Sequence, residues 1–325
     1  MSWLSRALAA LILLFLPGAA GRAQVAPIAV GASPVPLMAD GSAEQRVGRL
    51  VFRGGLALDA SHQRFGGWSD LWVAQDGSRL IAISDRGSWM ELRLVHDAQG
   101  RLTGVGPARI GPLGDPRGLQ LHGNPSDAEG LAALPDGGFL VSFERRHRIW
   151  HYPAAPVPFG RPPRLLPTPP GIAAAPDNGA LEALARLADG RLVAIAEALV
   201  ENGAHAAWVF ADERWGRFSY RAEPGFSPAG AAGLPGGDLI VLERAFAFLA
   251  GFRVRLTRVP QAQLGPGVAA RGAELARLDA RHTVDNFEGV ATRAGANGET
   301  LLYLIADDNF VRWQRTLLMM FAIAD

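Results

Sequence analysis

Acidic residues recur at matching places along this 325-residue chain. Asp70, Glu129, Glu182 and Glu288 each stand near the start of an apolar segment, and Asp85, Glu144, Glu197, Glu243 and Asp307 each close the apolar segment that follows. The spacing is 15 residues in three copies (70 to 85, 129 to 144, 182 to 197) and 19 in the last (288 to 307), where the turn Ala294–Glu299 reads as longer. A fourth copy keeps Glu243 but has Ala229 in place of the first acid. A single acid of this kind is read most simply as structural, bonding backbone N–H groups between neighbouring repeats. Nine aligned carboxylates meeting at one place are a different matter. They repel one another strongly in a partly desolvated site and must be balanced by protons, arginines or a cation. The chain has no Cys and its seven His show no HExxH or HxH spacing. Oxygen ligands alone select a hard ion, Ca²⁺ ahead of Mg²⁺ or Mn²⁺. Asp308 and Asn309 extend the oxygen cluster after Asp307, completing the candidate ligand set. Arg86, Arg145 and Arg244 directly follow three of the acids, placed to balance charge or to hold an anionic group bidentately. Glu129 and Glu182 are the candidate general bases.

The elements that must position these residues are hairpins. Segments 68–87, 127–145, 181–197, 228–244 and 286–309 share one plan: an apolar strand, a Gly-containing turn, and a second apolar strand ending in an acid. Asp76-Gly77, Asp136-Gly137 and Asp189-Gly190 read as two-residue hairpin turns, because such turns need φ > 0. Two antiparallel strands joined in this way bring both acid positions to one rim. Further strands follow each hairpin, giving about four strands per repeat of about 50–60 residues, the period of a propeller blade. The expected fold is all-β: a five-bladed β-propeller. The last repeat lacks its outer strand, which Arg49–Leu58 from the N-terminal side can supply, closing the ring and removing an open sheet edge. A sixth blade from residues 24–46 is the alternative, though that segment has no hairpin signature and reads as an extended arm. The repeat then fills residues 47–325.

Composition narrows the class. Lys plus Arg total 32, none of them lysine, against 31 acids, a net charge of +1 that provides no basic field for nucleic acid. The absence of Cys removes disulfides, thiolate metal sites and thiol nucleophiles. Arg6, the apolar run Leu8–Leu16 and the small-x-small sequence Gly21-Arg22-Ala23 predict a signal peptide over residues 1–23. The run is too short to span a bilayer, so the expected mature protein is periplasmic or secreted and carries no membrane span. No G-x-S-x-G elbow or phosphate-binding glycine loop is present.

Several fragments together carry a family resemblance: Ser84-Asp85-Arg86, Asp127-x-Glu129-Gly130-Leu131, Asp177-Asn178-Gly179 before Leu181-Glu182-Ala183-Leu184, Asp285-Asn286-Phe287-Glu288-Gly289, and Asp307-Asp308-Asn309-Phe310 with Gln314-Arg315-Thr316-Leu317-Leu318. Over residues 47–323 the chain resembles the phytase-like proteins described as "esterase-like activity of phytase". The resemblance implies a phosphoester-hydrolysing activity and recurring functional Glu and Asp residues. The expected function is an exported phosphoric ester hydrolase acting on a small anionic ester, with carboxylate-bound Ca²⁺ at the propeller mouth. A Ca²⁺-dependent lactonase or carboxylesterase is the first alternative. A non-enzymatic envelope protein holding a structural ion is the second.

Overall fold

The computed structural model describes residues 24–324; the predicted signal peptide lies outside them. Five sheets, antiparallel except where Ala269–Ala270 joins the edge strand Arg214–Tyr220 in parallel, are arranged as blades around one axis. Their innermost strands are Trp68–Val73, Ala128–Ala133, Ala183–Arg186, Ser227–Gly233 and Asn286–Ala294, and each packs against the next until the fifth meets the first. Among the described residues there is no α-helix, only three single-turn 3₁₀ segments. No helix there is long and apolar enough to cross a membrane.

Apolar side chains on both faces of the strands are explained by five separate cores, one between each pair of neighbouring blades. Trp68, Met90 and Tyr303 fill the one between blades five and one. Phe143, Trp150 and Tyr152 fill the one between blades one and two. A blade is thus buried on two sides at once, which a half-exposed antiparallel sheet is not.

Closure follows the expected route and adds to it. Leu50–Asp59 pairs antiparallel with Thr316–Ile323 and becomes an outer strand of blade five. Residues 24–46 form no sixth blade; extended strands within them lie along two blades. Ala26–Ile28 pairs with the outer strand of blade one, through Ala108, Arg109 and Ile110. Gly31–Pro34 pairs with Leu50–Asp59 on blade five. One short segment therefore straps the first and last blades together and covers an edge on each.

The turns differ from the two-residue loops expected. In blades two to five the loop holds three residues, with bonds such as Leu134 N–H to the Gly138 carbonyl and Gly137 N–H to the Leu134 carbonyl. The Asp-Gly sequences make a type I turn closed by a left-handed Gly (Gly137 at φ 85°, Gly190 at φ 94°), the three-residue solution for a hairpin. The first turn carries one residue more, since Ala74 N–H reaches the Arg79 carbonyl. The turn of blade five has the ordinary length (Ala294 pairs with Thr300); its extra residues lengthen the two strands instead.

Candidate active site

The inner strand of each blade starts at the upper rim, and the second strand returns there. Both acid positions accordingly meet at one mouth, which opens into a cavity of about 710 Å³. Seven carboxylates line it: Asp85, Asp127, Glu129, Glu182, Glu197, Glu288 and Asp307. Two guanidinium groups, Arg145 and Arg244, share the lining with Asn178, Asn286, Asn309 and Gln314. Six of those seven acids, with Arg145, Arg244 and Asn309, are candidates from the sequence; Asp127 is not.

Asp127 has a signal in the sequence nonetheless. It stands two residues before Glu129, and the matching positions in blades four and five are Ser227 and Asn286. All three line the cavity. Side chains two apart on a strand share a face, so a polar residue at that offset points where the acid points. One carboxylate oxygen from each of Asp127, Glu129 and Glu144 lies within 4.8 Å of the others.

Strand register separates Asp70 from its presumed equivalents. Leu131 pairs with Val141, Leu184 with Ala194 and Val290 with Leu304, and in each case the acid stands two residues earlier. In blade one Leu71 pairs with Ala82, so the equivalent residue is Ser69. The longer first turn hides this offset in the sequence spacing. A shift of one residue turns a side chain to the other face. Asp70 is buried between blades instead, accepting bonds from the N–H of Leu131 at 2.7 Å and of Leu71 at 2.8 Å. Ser69 is buried, and its hydroxyl has no protein partner among the described residues.

Three further candidates serve the scaffold. Glu243 is fully buried, accepts the Tyr220 hydroxyl and pairs with Arg255 at 2.7 Å, away from the cavity. Asp308 accepts the N–H of Gly67 and the hydroxyl of Thr316, each at 3.0 Å, tying the last loop to the first blade. Glu144 accepts the N–H groups of Gly179 and Ala180, yet keeps an oxygen within the Asp127–Glu129 group. Arg86 does not line the carboxylate cavity. It faces an adjoining cleft, with its guanidinium 3.5 Å from the centre of the Phe310 ring.

Blade four breaks the pattern in a useful way. Ala229 and Gly230 stand where the other blades carry the first acid, and a Cβ on Gly230 would lie 2.2 Å from the Glu288 carbonyl oxygen. With no carboxylate there, Arg244 enters the cavity. It pairs with Glu288, reaches Glu197 at 3.3 Å and donates to the Asn286 amide oxygen. These acids hold the Arg244 guanidinium firmly charged despite its burial.

The other carboxylates are less well compensated. Burial, then the negative charge of Glu182, Glu144 and Glu288, pushes Glu129 well above the usual carboxylate range. Glu182 is raised by burial and by Glu144, Glu197 and Glu288. Burial and the charge of Glu288 push Asp85 up to about 7 and Asp307 up to about 8. Glu144 is raised to about 7, chiefly by burial, against the pull of two backbone N–H groups. No ion pair holds Glu129 or Glu182 among the described residues, whereas Asp127 pairs with Arg145 and Glu288 with Arg244. Clustered oxygen donors, no soft ligand and carboxylates that hold protons near neutrality all fit a hard divalent cation. Bound at Asp127, Glu129 and Glu144, such an ion would displace those protons.

A five-bladed β-propeller with an acid-lined axial mouth is the class that this fold and site define. The family model described as esterase-like activity of phytase matches residues 63–310, and the chain belongs to this phytase-like family. Comparison with curated proteins gives no match. Among solved structures, an X-ray structure provisionally named a gluconolactonase aligns over 93% of each chain, at 15% identity and a TM-score of 0.45.

Proposed function

We propose that the protein is an exported phosphoric ester hydrolase whose carboxylate cavity works with a bound divalent cation, Ca²⁺ first among the candidates. The observation that carries this is the charge imbalance of the mouth: seven carboxylates face two guanidinium groups in one cavity. Membership of the phytase-like family supports ester hydrolysis as the chemistry. Asp127, Glu129 and Glu144 are the residues that would hold the ion, and its chemistry there is to polarise a phosphoryl oxygen and acidify a water.

The chain's own groups take the remaining tasks. Glu182 lines the cavity with no ion pair among the described residues, and its raised proton affinity makes it, once ionised, a stronger base toward a water than a solvated carboxylate. Arg145 stands at the rim with its Nε on Asp127, oriented toward an incoming anion. Arg244 is committed to Glu288, Glu197 and Asn286; its task is to lower the negative potential that a phosphate would otherwise meet.

The test combines metal analysis with turnover. Purified protein should contain, or take up, a near-stoichiometric divalent cation, and should release phosphate from model phosphomonoesters or phosphodiesters. Chelator, Glu129→Gln and Glu182→Gln should each abolish release. Turnover of lactones or carboxylic esters without phosphate release would move the assignment to the lactonase class. A chelator-sensitive melting temperature with no turnover of any ester would leave only a structural ion.

A further inference from the structure

The carboxylate cavity has one apolar wall. Phe246 and Phe252 are the only large apolar side chains among the described residues that line it, and both also line a separate cleft of about 530 Å³. They oppose each other across the hairpin that joins the second and third strands of blade four, a cross-strand pair with ring centroids 4.8 Å apart. Trp313 of the last loop, Ala250, Ala280 and Val284 extend the apolar lining. The polar groups of the cleft are already committed. Asp285 accepts the backbone N–H of Arg315 and pairs with its guanidinium, the His282 Nδ1 lies 3.1 Å from the Asp279 carboxylate, and the Gln314 amide oxygen accepts the Asn309 amide. The aromatic surface nevertheless faces water: Phe246 is 62% exposed and Trp313 81%. A hairpin at this place does not need it, since the corresponding one in blade three turns on the polar residues Glu201-Asn202-Gly203. An exposed aromatic patch continuous with a charged cavity is the form of a site for an amphiphile.

We propose that this cleft receives the apolar part of the substrate, so that the preferred substrate is a monomeric phosphoester bearing an alkyl or aryl group, with its phosphate in the carboxylate cavity and its apolar group against Phe246, Phe252 and Trp313. The substrate role rests on the hydrolase assignment above; the affinity of the cleft for an apolar chain does not. A group that extends from the phosphate past Phe246 and Phe252 passes from a polar lining to an apolar one, and burying it there desolvates no unpaired charge among the lining residues. Phe248 and Leu249, at the hairpin tip and outside the cleft lining, are the side chains that a bilayer would meet instead.

Calorimetry on the cation-loaded protein with ethylphosphonate and octylphosphonate tests the cleft, since their C–P bonds resist hydrolysis. Octylphosphonate should bind about tenfold tighter or more, because each buried methylene adds to affinity. Phe246→Ala and Trp313→Ala, each checked for an unchanged melting temperature, should cut that preference to about threefold or less. Leu165→Ala, exposed on the outer strand of blade two, should leave it intact. Equal binding of the two phosphonates, no binding of either, or a preference that survives both substitutions overturns the proposal. In a second arm the protein should stay in solution when phosphatidylcholine vesicles are sedimented. Sedimentation with the vesicles that Leu249→Ser abolishes would assign the aromatic rim to a membrane surface and overturn the proposal. Turnover separates the cleft from the hydrolase assignment. Octyl phosphate should be hydrolysed with a kcat/KM about tenfold or more above that of ethyl phosphate. Phosphate release at equal kcat/KM from both would keep the hydrolase assignment and overturn the substrate role of the cleft. An octylphosphonate preference with no phosphate release from either ester would remove the hydrolase assignment and leave the cleft standing.

Discussion

Burial among like charges raises the proton affinity of several carboxylates at the mouth, and this has a measurable consequence. Asp85 and Glu144 titrate at about 7 and Asp307 at about 8, all above the range of a solvated acid. An acid whose pKa is raised by folding favours the folded state while protonated. That contribution is complete below the unfolded pKa of about 4 and is lost as pH rises through the folded pKa. The metal-free protein should therefore melt at progressively lower temperature between pH 5.5 and 8 in scanning calorimetry. Ca²⁺ should reverse the trend, stabilising most at pH 8, where fewer protons compete for the ligands. A flat profile in both conditions would argue against the cavity as a cation site. Arg244 makes a second case. Its side chain is largely buried between Glu288 and Glu197, so Arg244→Met leaves those two charges unpaired. The expected loss is about 3–5 kcal/mol of unfolding free energy in urea, the usual cost of breaking a buried pair from one side.

At the scale of the element, the glycine after the acid is as informative as the acid. A Cβ on Gly130 would lie 2.6 Å from the Leu184 Cβ, and one on Gly289 would lie 2.7 Å from the Asp70 Cα. Inner strands of neighbouring blades approach this closely only near the axis, where five of them converge. Pairing is also irregular there: register shifts fall between Val141 and Phe143 opposite Glu129, and between Phe287 and Gly289 around Glu288. A bulge at this place re-aims the acid into the mouth. Gly130→Val should cost about 3 kcal/mol or more through overpacking, seen as a lower urea midpoint at an unchanged slope. Gly137, at φ 85° in an open turn, is different: Gly137→Ala there meets backbone strain, and should cost only about 1 kcal/mol.

At the scale of the molecule, a ring of blades is as stable as its seam. Blade five is completed by Leu50–Asp59, and the strap over Ala26–Pro34 spans from that blade to blade one. Removing residues 24–35 should lower the melting temperature by about 5 °C or more, from lost strand pairing and newly open edges. It should also promote aggregation in light scattering, without altering the affinity of the mouth for cations. Equal stability of the shortened chain would show that the strap is dispensable.

The five-bladed plan was legible in the chain itself, because each repeat carries an apolar strand, a Gly turn and a closing acid, and two-sided burial demands apolar residues on both faces. The closing strand was legible too, since the last repeat is one strand short. Most of the mouth follows from the same pattern: two acid positions at opposite ends of a hairpin must share a rim. Linear spacing does not report register. One extra residue in the first turn makes Asp70 look equivalent to Glu129, while the pairing assigns that place to Ser69 and turns Asp70 into the blade interface. Nor does spacing report which side a buried charge faces. Glu243 closes its hairpin and Asp308 follows the acid that closes another, yet they bond to Arg255, Tyr220, Gly67 and Thr316, partners that only packing brings near. The sequence by itself determined the repeat, the rim and the excess of acid. The tertiary structure alone decided which carboxylates remain without a partner, because that depends on neighbours supplied by other blades.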